Sequence, residues 1–173
     1  MYNINMKRII LIFLMIAMTI LAMAFPINVL AISESQEKTI VEQCDKIKEN
    51  LRTVQHSDSR TRVYLGRYYE TILSKFITPL NVRLVENNMV DNKLIDNQES
   101  FTKSRNSFIA DFIEYQKGLE DLIATDCKTE PAKFYDKLTR VRSKRKIVAD
   151  DTEKMRSLAK GQLDLVIKLG EKL

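Results

Sequence analysis

The chain has a single histidine, His56, among 173 residues. That scarcity removes Ser-His-Asp and Cys-His catalysis, both of which need an imidazole base beside the nucleophile. It also removes the carboxylate-bridged di-metal centre of helical bundles, which is built from Glu-x-x-His pairs on two helices. His56 itself sits in a polar segment and reads as an ordinary surface residue. The four glycines are isolated, so no Gly-rich loop is present to cradle a phosphate. The neighbouring carboxylates Glu120-Asp121 and Asp150-Asp151 point to different faces of any helix that carries them. They read as solvated surface rather than acid–base pairs. The sequence therefore predicts no catalytic residue, no cofactor, no metal ligand and no small-molecule substrate.

Glycine and proline are scarce, at four and three, while 29% of the residues are charged and 45% hydrophobic. That balance suits long amphipathic helices in one domain. The formal net charge is +5. Setting aside Lys7 and Arg8, expected to be removed with the N-terminal segment, leaves +3. So small an excess disfavours nucleic acid as a partner.

Lys7 and Arg8 precede an uncharged, predominantly apolar run from Ile9 to Phe25, closed by Pro26. Ala22-Met23-Ala24 and Val29-Leu30-Ala31 both offer small residues to a signal peptidase. Residues 1–31 are thus expected to form a signal peptide cleaved after Ala31, ahead of a helical domain over 32–173. The alternative is an uncleaved N-terminal membrane anchor, since the run is near the lower length limit for a span. Either places the rest of the chain outside the cytoplasm, extracellular or in the cell envelope.

Three long helices follow from the heptad spacing. The middle one reads Leu94, Gln98, Phe101, Arg105, Phe108, Phe112, Tyr115, Leu119, Leu122 in steps of 4 and 3 without a slip. Ile95, Ile109, Ile113 and Ile123 widen that stripe into a face broad enough for two partners. The first helix should begin near Ser33 or Ser35, either of which can cap it. Its seam runs from Ile40 and Cys44 through Asp58, Leu65 and Tyr68 to Ile72. Tyr68 is thereby expected in the core, with Tyr64 and Tyr69 flanking it.

Pro79 lacks an amide hydrogen and disfavours helix at Thr78, so a kink or end is predicted there. Leu80, Val82, Leu84 and Val85 should still be packed. Asp91 or Asn92 can cap the middle helix, and Thr129 or Glu130 before Pro131 starts the third. The third seam runs from Phe134 through Val141, Arg145 and Val148 to Met155, Gln162 and Leu173. Short connections make neighbouring helices antiparallel. The expected fold is all-α: an up-down-up three-helix bundle with coiled-coil-like heptad packing.

Antiparallel pairing has two further consequences. Two cysteines after an export signal are the ordinary sign of one disulfide, here Cys44–Cys127. The alternatives are free thiols or a bridge between chains. Bringing these two level centres the first reversal between Val85 and Glu86, which agrees with an end near Pro79. Were the first helix to run rigidly to Asn88, Cys127 would sit about 13 Å along the axis from Cys44. That exceeds the roughly 7 Å limit for a bridge. With the second reversal centred near Thr129, Asp58 and Arg145 fall level with Phe112 and Ile113. They are expected to form a buried or half-buried ion pair that sets register.

The strongest charge cluster is Lys137, Arg140, Arg142, Lys144, Arg145 and Lys146. It could meet an anionic wall polymer, a lipid surface or extracellular nucleic acid. Helical spacing spreads the cations over several faces, and no aromatics lie between them for base stacking. A solvated helix surface is the favoured reading.

Three runs carry a family resemblance: Arg62-Val-Tyr-Leu-Gly-Arg-Tyr-Tyr-Glu70, Phe76-Ile-Thr-Pro-Leu-Asn-Val-Arg-Leu-Val-Glu-Asn-Asn88 and Leu119-Glu-Asp-Leu-Ile-Ala-Thr-Asp-Cys127, with Phe134-Tyr135 following Pro131. Over most of the mature chain they resemble small exported helical proteins of ultra-small, Saccharibacteria-type bacteria. The resemblance implies a place in the envelope of a tiny bacterium living on other cells. It brings no catalytic residues.

From these features the sequence predicts a non-enzymatic exported helical bundle, acting through contact with another envelope or extracellular protein. The rival from a different class is a binding module for anionic envelope polymers or lipid surfaces. It would use Lys137, Arg140, Arg142, Lys144 and Lys146 of the third helix.

Overall fold

The computed structural model describes residues 32–171. The signal-peptide or anchor reading falls on residues 1–31 and lies outside them. The described chain is all-helical, with no strand among the described residues.

The first arm contains α1 (Glu34–Glu42), α2 (Cys44–Thr71), a π-helical turn (Ile72–Ile77) and α3 (Thr78–Glu86). The middle arm is α4 (Asn92–Ala124) and the third is α5 (Pro131–Gly170). Ser33 starts α1 with a capping box: the Gln36 amide donates to Ser33 Oγ at 3.3 Å, and the Ser33 amide donates to Gln36 Oε1 at 3.1 Å. Two orphan amides are satisfied reciprocally. The break after α1 falls at Gln43, and α2 runs without interruption through the polar stretch around Ser57. Asp91 caps α4 by accepting from the Lys93 amide at 2.8 Å. Pro131 stands in the first turn of α5, where a missing donor costs nothing.

The first arm corrects the expectation of an end near Pro79. Helix continues through Pro79 to Glu86. A proline inside a helix leaves the carbonyl four residues back without its donor and presses a ring against it. The turn just before Pro79 is wide, with the Thr78 amide donating to Leu73 O five residues back. That π turn lets the helix pass the proline. The arm ends in a Schellman motif: Met89 N donates to Leu84 O at 2.8 Å and Asn88 N to Val85 O at 3.1 Å. Asn88 holds φ at 57°, a left-handed conformation that asparagine tolerates better than most residues.

The longer first arm nevertheless coexists with the disulfide. Cys44 and Cys127 are bonded, with Cα atoms 5.6 Å apart. Neither arm keeps the regular 1.5 Å rise per residue between the cysteines and the reversal. On one side, the π turn takes up residues in a wide loop of backbone. On the other, Cys127 lies beyond the end of α4, where Thr125 is already extended.

Side-chain pairs fix the direction of the arms. Asn81 meets Gln98, Asp58 meets Tyr115, and Cys44 meets Cys127, so α4 runs antiparallel to the first arm. The core lies on α4, whose stripe Leu94, Phe101, Phe108, Phe112, Tyr115, Leu119 and Leu122 is buried. From α5 come Phe134, Val141, Val148 and Met155. Burying an aromatic of this size contributes about 2–3 kcal/mol, which makes the α4–α5 contact the main source of cohesion.

The first arm contributes less, and its phase differs from expectation. Tyr69 is the buried tyrosine, 3% exposed, and Tyr68 is 51% exposed. Beyond Leu65 the inward positions are Tyr69, Ile77 and Asn81 rather than a continued heptad. Val82 and Val85 are exposed despite the expectation that they pack, as are Ile95 and Ile113 on α4. The widened α4 face is only partly covered.

Candidate functional site

A groove lies between the first arm and α5. Beyond α1 the backbones of the first arm and α5 draw apart, and side chains bridge the gap at two places. Toward the disulfide end, Arg145 Nε and Nη2 donate to Asp58 Oδ2 and Oδ1 at 2.8 and 3.0 Å. Further along, Tyr69 OH donates to the Thr152 carbonyl at 3.3 Å. The groove beside these bridges has a volume of about 600 Å³. The buried side chains of Phe108, Phe112 and Tyr115 lie beneath it, with Leu65 and Val148 along its walls. A second depression of about 450 Å³ continues it toward the reversal, lined by Phe76, Leu80, Leu163 and Val166 among others.

Electrostatics set this groove apart. Arg62, Arg142, Arg145, Lys146 and Arg156 line it, against the carboxylates Asp58 and Glu153. The Arg62 guanidinium lies over the Phe112 ring, 5.5 Å from its centroid, held by the negative face of the ring. Among the described residues neither Arg62 nor Arg142 forms an ion pair.

The predicted ion pair forms, but it is buried only on one side. The Asp58 side chain is 16% exposed and that of Arg145 57%. Asp58 faces inward because Tyr115 donates to its Oδ2 at 2.7 Å. Arg145, a long side chain, keeps its head partly in water. Burial pushes the Tyr115 hydroxyl well above its ordinary value, and the hydrogen bond to Asp58 adds to the shift. The hydrogen bond from Arg145 to Asp58 holds the guanidinium above its own usual range.

The basic cluster is divided rather than assembled. Lys137 pairs with Asp121 at 2.8 Å and donates to Thr125 Oγ1, and Lys144 pairs with Glu114 at 3.2 Å, both toward α4. Arg140 pairs with Asp136 one turn away on its own helix. Lys146 pairs in the same way with Asp150, at 2.7 Å. Arg142, Arg145 and Lys146 are the ones the structure places along the groove. Arg62 and Arg156 join them, and charge counting along one helix missed both because they belong to a different segment or lie farther along.

On the groove's outer edge Tyr64 and Tyr68 are 68% and 51% exposed, with stacked rings whose centroids lie 6.3 Å apart. They stand three residues beyond Thr61 and Leu65, which line the groove, and so extend that helix face outward.

Two other features complete the polar inventory. Asp151 is not simply a solvated carboxyl, for it faces Asp111 of α4. Burial pushes it up to about 6, and the neighbouring Asp111 carboxyl adds to the shift. Asn81 is buried beneath Leu94, donating through Nδ2 to Leu94 O at 3.1 Å and to Gln98 Oε1 at 2.7 Å. No group of three or more potential metal ligands exists among the described residues. No helix among them is long and apolar enough to cross a membrane.

No protein-family model, no curated protein and no solved structure matches this chain.

Proposed function

We propose that this is a non-enzymatic, exported binding protein that works by contact with another envelope or extracellular protein. On this reading it is an up-down-up three-helix bundle with coiled-coil-like packing, made with a signal peptide over residues 1–31. The observation that carries it is the exposed Tyr64–Tyr68 stack beside the groove between α2 and α5. Tyrosine offers a large amphipathic contact area at little entropic cost and is enriched among residues that dominate protein interfaces. Left in water, two such rings are an exposed apolar surface without a structural use. The envelope location rests on Lys7, Arg8 and the apolar run, and on the Saccharibacteria-type resemblance.

Site-specific photo-crosslinking in the producing cells tests the reading. A photoreactive residue at position 64 or 68 is expected to give a discrete adduct with one protein, and the same residue at Lys93 none. Absence of any adduct from positions 64 and 68 would remove the proposal. N-terminal sequencing of the exported fraction tests the leader: a chain beginning at Ile32 supports cleavage, and one beginning at Met1 supports an anchor.

A second reading, binding of an anionic polymer or lipid surface through α5, is favoured by one observation, the unpaired Arg142 beside the other groove cations. Co-sedimentation with phosphatidylglycerol vesicles that is lost on Arg142→Glu would support it.

A further inference from the structure

We infer that the protein partner meets the outward face of α2 with a carboxylate-rich surface, whose acid groups pair with Arg60 and Arg67 around the Tyr64–Tyr68 stack. This rests on the protein-contact reading above and names the chemistry of the partner's contact surface.

The charge on this arm becomes one-sided when the chain folds. Between positions 52 and 83 stand the cations Arg52, Arg60, Arg62, Arg67, Lys75 and Arg83, against the carboxylates Asp58 and Glu70. Both carboxylates are engaged by other helices, Asp58 by Arg145 of α5 and Glu70 by Arg105 of α4. None of the six cations forms an ion pair among the described residues. Arg62 lies over the Phe112 ring, and the other five are exposed. Folding thus draws the acids of this arm toward its neighbours and leaves cations on the outside. The α5 cluster is the opposite case, since most of its members find a carboxylate nearby.

Helical spacing gathers the outward groups into one strip. Arg60, Tyr64, Arg67 and Thr71 follow in steps of 4, 3 and 4 within α2, which makes them neighbours on one face. Tyr68 stands one turn beyond Tyr64, and their rings stack with planes 9° apart. The strip is open to solvent, with Tyr64 68% exposed and Val63 beside it 57%.

Arginine and tyrosine are the residues that most often dominate protein interfaces. A guanidinium grips a carboxylate through two parallel hydrogen bonds, a planar fit that lysine cannot make. With the acids of this arm already engaged, the carboxylates must come from the partner. A second copy offering the same strip would set arginine against arginine and be repelled.

The test uses the full-length protein in the producing cells, with p-benzoylphenylalanine at position 64 as the probe. The protein adduct is quantified, and its cross-linked peptide is sequenced by mass spectrometry. Arg60→Glu/Arg67→Glu should lower the adduct yield about tenfold or more. Lys103→Glu, on α4, should leave it within about twofold. The cross-linked peptide should carry Asp or Glu within about one helical turn of the cross-linked residue. Circular dichroism of the purified variants should match that of the parent. If the double variant does not fold, Arg60→Gln and Arg67→Gln are each expected to lose about threefold. A yield unchanged by the arginine substitutions, or lowered equally by Lys103→Glu, overturns the inference. So does a cross-linked peptide without an acidic residue. Each of these, with the protein adduct still formed by the parent, removes the carboxylate inference alone. Absence of a protein adduct from the parent, or an adduct of lipid mass only, removes the protein-contact reading beneath it as well.

Discussion

Cys44 and Cys127 are joined across the end of the helical unit far from the first reversal, both buried, their Cα atoms 5.6 Å apart and 83 residues apart in sequence. The bond ties the start of α2 to the segment after α4, where Lys128 also reaches Asp45 at 2.7 Å. In the chain-entropy model, closing a loop of that length adds roughly 4–5 kcal/mol. Cys44→Ala/Cys127→Ala should therefore lower the unfolding free energy by about 4 kcal/mol in urea titration. Mass spectrometry of the native monomer should find it two protons lighter than the dithiol. Two alkylatable thiols, or a loss below about 1 kcal/mol, would contradict this.

The Asp58–Arg145–Tyr115 cluster should behave asymmetrically. Removing Arg145 leaves Asp58 with its tyrosine donor, so Arg145→Ala should cost about 1 kcal/mol. Asp58→Ala strands both a buried tyrosine hydroxyl and the guanidinium, and should cost about 2–3 kcal/mol. The double-mutant cycle should give a coupling of about 1 kcal/mol. Additive losses would show that the pair contributes nothing of its own.

Asp151 makes stability depend on pH. Its folded value, about 6, lies above the ordinary 3.8, so the folded state binds more protons between them. The advantage is complete below 3.8 and is lost as pH rises through about 6. Asp151→Asn removes the charge that neutral pH forces on this site. It should stabilise by about 1 kcal/mol at pH 7, well under the full value of the shift because the side chain is partly solvated. Thermal melts should show the gain, about 2–4 °C, shrinking toward zero near pH 4. A gain that persists at pH 4 would place the effect elsewhere.

Asn81 acts as a buried donor bridging the reversal. Asp at this position would turn the donor into an acceptor facing Leu94 O and Gln98 Oε1. Asn81→Asp should cost about 2–4 kcal/mol at pH 7, and Asn81→Ala about 1–2. Equal stability of the two variants would mean that water satisfies the site.

How much of this was legible can be judged residue by residue. Phe101, Phe108, Phe112, Tyr115, Leu119 and Leu122 stand out from spacing alone, because residues three and four apart share a helix face whatever surrounds them. Ser33 and Pro131 mark their helix starts by local hydrogen-bond chemistry. The pairing of Cys44 with Cys127 follows from there being only two cysteines and from antiparallel level-matching. Asp58 and Arg145 emerge by the same matching, although the exposure of Arg145 does not.

The first arm is where local rules run out. Tyr68 and Tyr69 are adjacent, equally apolar and equally compatible with a helix, and spacing from Leu65 selected Tyr68. Packing chose Tyr69, whose ring meets Phe101 edge-on at 6.0 Å and whose hydroxyl reaches Thr152 on α5. Those partners are distant in sequence and exert no pull on any local pattern. The π turn before Pro79 likewise settles the clash with the preceding carbonyl in a way that periodicity cannot express.

By itself, then, the sequence determined that the described chain is helical, where α4 and α5 begin, which face of α4 is buried and which cysteines bond. Each of these depends on neighbours within a turn or on simple counting. Only the tertiary structure decided the phase of the first arm, the division of the α5 cations and the groove between α2 and α5. A gap between two helices is set by how closely each packs on the third. Here α5 packs along α4 through Phe134, Val141, Val148 and Met155, while α2 reaches α5 through the polar bridges from Asp58 and Tyr69.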